Sequence, residues 1–145
     1  MKKFEEFTYE NGSIIEGLTK ELSYRYIINY FNTQENSLLI VTSNLYDANK
    51  IQNSLQIYEE NVYLFPMDDF LTSLALAVSP ELKLKRLETL EKIQNNKCIV
   101  VTNMMGYLKL NTSLKEQNSL YQTLKTNTEI NRDSLVEIFE KLGYQ

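Results

Sequence analysis

Apolar positions along this chain change period repeatedly, and the changes predict strands separated by helices. Ile14-Ile15 stands between Ser13 and Glu16 and is closed by Gly17, which predicts a short first strand over 13–16 and a turn. Leu22, Tyr26 and Tyr30 then recur at i,i+4, with Leu18, Ile27 and Phe31 beside them, the broad apolar face of a helix laid on a sheet. Leu38-Leu39-Ile40-Val41 is a continuous apolar run and predicts a strand over 37–42, buried on both faces as in a parallel sheet. Ser43 or Asn44 caps the following helix, Asp47 lies in its first turn, and Leu45, Ala48, Ile51, Leu55 and Tyr58 share one side. A second short strand over 62–65 ends at Pro66.

Ser79-Pro80-Glu81 combines a capping residue, a proline at the first helical position and an acid in the first turn. The helix it starts runs to about Asn95, with Leu82, Leu87, Leu90 and Ile93 inward and Lys83, Lys85 and Arg86 on or near the exposed side. Cys98-Ile99-Val100-Val101-Thr102 predicts a third buried strand, and 103–110 a short helix. Residues 1–11 predict a packed-on arm or short helix, whereas 67–78 fits no single period: 67–71 could begin a helical turn and 74–78 is a small apolar run. Further on, 111–118 is polar and predicts a helical connector, and Leu120 to Lys125 alternates as a half-exposed strand. Asn131, Arg132 and Asp133 lead into a last helix through Leu135, Val136, Ile138, Phe139 and Leu142, stopped at Gly143. Strands alternating with long helices call for an α/β fold with parallel pairing and right-handed crossovers. The change of pattern places a subdomain boundary near Ser119.

Composition narrows the functional classes. At 145 residues, with 43% hydrophobic and 23% charged residues, the chain has the make-up of an ordinary globular protein. Its apolar runs are too short to span a bilayer, and Phe4-Glu5-Glu6 after Met1-Lys2-Lys3 does not begin a signal peptide. The single cysteine, Cys98, excludes an internal disulfide and fits a reducing cytoplasm. A net charge of −4 argues against sequence-independent nucleic-acid binding, which draws on phosphate neutralisation. The chain has no histidine, so the commonest general base and zinc ligand is missing.

Candidate chemistry is sparse. The strand–turn–helix expected around Gly17 is where an α/β domain carries a phosphate loop, G-x-x-x-x-G-K-[ST]. Counted from Gly17, Leu22 replaces the second glycine, Ser23 the lysine and Tyr24 the Ser/Thr, and the bulk of Leu22 and Tyr24 would fill the cradle. Asp68-Asp69 could serve a metal or act as a general base at a strand end, or favour a helix N-terminus through the dipole. Cys98 has only Lys97 beside it in sequence to activate it and otherwise reads as a buried thiol. Lys83, Lys85 and Arg86, with ten tyrosines along the chain, allow single-strand nucleic-acid binding or a solvated helix face.

The order of several strings resembles the N-terminal region of bacterial transcription-repair coupling factors (Mfd), itself similar to the damage-recognition protein UvrB. They are Gly17-Leu18-Thr19, the run from Leu39-Ile40-Val41-Thr42-Ser43-Asn44 through Leu45-Tyr46-Asp47-Ala48, and Phe65-Pro66-Met67-Asp68-Asp69. Ser79-Pro80-Glu81 with Arg86-Leu87, then Ile99-Val100-Val101 and Leu142-Gly143-Tyr144, complete the series. UvrB keeps a full phosphate loop where this chain has Leu22, Ser23 and Tyr24, which selects the coupling factor. The resemblance implies a RecA-like parallel sheet with helices on both faces and a degenerate phosphate loop. It implies an incomplete RecA-type subdomain over 1–118 and the start of a small α/β UvrA-binding subdomain over 119–145. It further implies a non-catalytic scaffold without cofactor or metal, whose main UvrA contacts lie beyond Gln145. In a longer parent, ATP, Mg, DNA and RNA polymerase would engage other domains. The alternative is a divergent nucleotide-dependent helicase or hydrolase subunit of UvrB type, using Asp68 and Asp69. An unpaired strand at 120–125 would favour self-association.

Overall fold

The computed structural model describes residues 12–69, 79–109, 125–126, 129 and 131–141. The chain divides into two compact units, Met1–Lys109 and Leu110–Gln145. The expected arm, the apolar run 74–78, the connector 111–118, the boundary near Ser119 and the stop at Leu142-Gly143 lie outside the described residues. So does the strand expected over 120–125, apart from Lys125.

In the first unit the elements run α1 (Lys20–Thr33), β1 (Leu38–Thr42), α2 (Leu45–Leu55), β2 (Val62–Phe65), α3 (Pro80–Asn95), β3 (Ile99–Asn103) and α4 (Met104–Tyr107). The strands form a parallel sheet in the order β1-β3-β2, with Leu38 and Val62 both level with Ile99. The chain crosses from β1 past β3 to β2, then returns to β3. With both crossovers of one hand, that reversal puts α2 and α3 on opposite faces of the sheet.

Two core clusters fit this arrangement. On one face Val62, Leu64, Ile99 and Val101 pack with Phe31 of α1 and with Ala48 and Leu55 of α2. On the other, Phe65 and Val100 gather Tyr63 and Leu90 of α3. Each fully buried Leu, Ile or Val contributes about 1.5–3 kcal/mol of apolar transfer. All five positions of β3 are buried, because it has a strand on each side and a helix layer on each face.

Several expectations change here. Residues 13–16 form no strand; Ile14 is 84% exposed and Ile15 49%, so two apolar residues without a sheet partner do not hold extended pairing. α1 turns Tyr24, Ile27, Ile28 and Phe31 to the core, rather than the Leu22–Tyr26–Tyr30 line. β1 is not buried on both faces: it is an edge strand, with Leu39 50% and Val41 40% exposed. In α3 the inward line holds Arg86 and Thr89, while Leu87 and Ile93 are exposed. Ser79 precedes α3 without a side-chain capping bond, so Pro80 and Glu81 mark that start alone.

In the second unit α5 (Arg132–Lys141) follows Asn131, whose Oδ1 accepts from Asp133 N at 2.9 Å and Ser134 N at 3.3 Å. Two otherwise unmet first-turn amides are satisfied this way. Leu135 is half-buried, and Val136 and Phe139 are exposed. No described helix is long and apolar enough to cross a membrane.

Candidate functional site at the carboxyl ends of the strands

Open parallel sheets place their working groups beyond the carboxyl ends of the strands. Here three strand exits meet: Thr42 to Leu45 after β1, Pro66 to Asp69 after β2, and Asn103 at the end of β3. Asn44 adopts extended backbone and caps α2, its Oδ1 accepting from Asp47 N at 2.8 Å and its Nδ2 donating to Asp47 Oδ2 at 2.8 Å. The first amide of the helix, Leu45 N, donates instead to Asp69, at 3.0 Å to Oδ1 and 2.9 Å to Oδ2. A carboxylate carried by the β2 exit therefore occupies the anion-favouring end of α2.

Asn103 ties that carboxylate to the sheet. It is completely buried; Nδ2 donates to Asp69 Oδ1 at 2.6 Å and to Met67 O at 2.7 Å, while Oδ1 accepts from Met67 N and Gly106 N, both at 3.2 Å. All four hydrogen-bonding positions of one amide are thus used. Beside it, Thr102 Oγ1 donates to Phe65 O at 2.6 Å, and Gly106 fits because it lacks a side chain. A Cβ at Gly106 would collide with Thr102 Oγ1 and approach Phe65 O to 2.9 Å.

Asp68 and Asp69 do not converge on one point. Asp69 caps α2, whereas Asp68 acts on Arg86, whose Nη1 donates to Pro66 O at 2.9 Å. Burial pulls the guanidinium below its ordinary pKa, and Asp68 opposes that pull. The expected helix-end role of the acid pair is thus met by Asp69, but on a helix 24 residues earlier. Arg86 is only 8% exposed, so the basic cluster with Lys83 and Lys85 is not one surface patch. Among the described residues, no three His, Cys, Asp or Glu side chains are placed to hold a metal.

Cys98 is buried at the start of β3, its amide donating to Ser37 Oγ at 3.1 Å. Burial raises the thiol pKa and the Ser37 hydroxyl partly offsets this, the opposite of an activated nucleophile.

Gly17, Leu22, Ser23 and Tyr24 surround the start of α1. Gly17 has φ +76° with open space where a Cβ would stand, so a turn and not a close approach calls for glycine. Thr19 caps α1, accepting from Leu22 N at 3.4 Å, and Ser23 Oγ returns to Thr19 O at 2.9 Å. Leu22 is exposed, and Tyr24 packs against the core cluster of α1 and α2. Sequence reading missed Asn103 and Gly106; an asparagine at a strand-to-helix junction followed three residues later by glycine was the available signal.

Curated proteins named transcription-repair-coupling factor align with almost all of the chain. One from Staphylococcus epidermidis (strain RP62A) is 28% identical over 147 aligned positions, covering 99% of this chain and 13% of its own length. Another, from Staphylococcus aureus (strain RF122), is 26% identical over 137, covering 92% of this chain and 12% of its own. The chain is similar in sequence, over nearly its whole length, to these transcription-repair-coupling factors. It spans about an eighth of the length of these relatives. No family model matches the chain, and no solved structure does. The residue strings that resemble the coupling factors include two of the three exits described above, Thr42-Ser43-Asn44 with Leu45 and Pro66-Met67-Asp68-Asp69, and stop short of Asn103.

Proposed function

We infer that this chain is a UvrB-like module from the N-terminal region of a transcription-repair coupling factor, serving as a protein-docking scaffold in transcription-coupled repair. The observation that carries the reading is the alignment of nearly the whole chain with coupling factors of two staphylococcal species. The site geometry supports the scaffold role. The carboxylate, amide and hydroxyl groups at the strand exits bond to one another, and the α2 terminus is satisfied by Asp69. In this reading Gly17 to Tyr24 is a phosphate loop whose chemistry has been lost, and the chain itself takes neither nucleotide nor metal. UvrA is the partner recruited, through contacts in the residues that follow this segment in the coupling factors. RNA polymerase, DNA and ATP-Mg belong to other parts of the parent protein, an ATP-driven DNA translocase.

The test compares this chain with a chimera in which it continues into the residues following the matched stretch of the S. epidermidis relative. Biolayer interferometry against UvrA should show binding by the chimera and little by the chain alone. Equal binding by both, or by neither, overturns the assignment of UvrA contacts. Micromolar ATP-Mg binding by the chain, lost on changing Gly17 or Ser23, overturns the scaffold reading and restores a nucleotide-dependent subunit.

A further inference from the structure

We draw no further inference here: the strongest candidate, the groove of about 420 Å³ between α2 and α3 at the outer edge of β2, has the carbonyls of Val62 and Leu64 already taken by Gln52, Gln56 and Thr89, and nothing in the structure shows what fills or covers it.

Discussion

Helices α1 and α2 each begin at an exposed polar turn, and only one of the two starts is tied into the fold. α1 opens on Thr19, whose hydroxyl reaches Leu22 N at 3.4 Å, a long bond within one exposed turn. α2 opens on Asn44, Asp47 and Asp69, and Asp69 is in turn held by the buried Asn103. The first start is local, so its loss frays one helix end. The second joins three strand exits, so its loss uncouples α2 from β2 and β3. A sequence pattern that suggested a phosphate loop at α1 thus sits at the less anchored of the two. The position a phosphate would favour electrostatically, the α2 terminus, carries the chain's own carboxylate.

Asn103→Ala is the strongest way to break that difference. It removes four hydrogen bonds and strands the buried Gly106 amide and the part-buried backbone groups of Met67, so we expect a loss of about 3 kcal/mol. Urea unfolding followed by circular dichroism measures it; a loss well under 1 kcal/mol would mean that the strand exits are held by something else. Gly106→Ala acts at the same junction by crowding Thr102 Oγ1 and Phe65 O, at about 2 kcal/mol. Replacing Thr102 by Val as well should not restore the loss, because the carbonyl of Phe65 stays where it is.

Asp69→Ala isolates the α2 cap. It withdraws the acceptor of Leu45 N and one partner of Asn103, for an expected loss of about 1 kcal/mol. Asp69→Asn keeps an acceptor oxygen without the charge and should lose less. If the two variants are equally destabilised, the charge at the helix end carries the effect, not the hydrogen bond.

How much of this was visible in the residues depends on the range of the interactions involved. Asn44 and Asp47 lie three apart, and their capping pattern stands in the sequence as it stands in the fold. The strand β3 was legible because its apolar run is central and buried on both sides. The same kind of run misled at β1, since periodicity records side-chain faces and not which strand lies beyond an edge. Arg86 was placed on the exposed side of α3 by its charge. Its guanidinium goes inward because Pro66 O, 20 residues away, needs a donor there. Asp69 and Leu45 are 24 apart, and Asn103 and Asp69 are 34 apart, so no local spacing announces the junction they form. The strand at 13–16 failed for the converse reason: a locally plausible pattern found no partner in the sheet.

The smallest expected effect sharpens the comparison from the other side. Thr19→Ala removes a long, exposed capping bond and should lower stability by about 0.5 kcal/mol. Its signature should be local: faster hydrogen exchange at Leu22, with the amides of β3 unchanged. Ser23 N has Thr19 O as its acceptor, a backbone group the substitution keeps, so its exchange should rise less. Asp69→Ala should instead speed exchange at Leu45 and shift the global midpoint. A Thr19→Ala variant less stable than Asp69→Ala would make α1 the anchored start. The α2 terminus would then be an ordinary capped helix end rather than the point where the strand exits are joined.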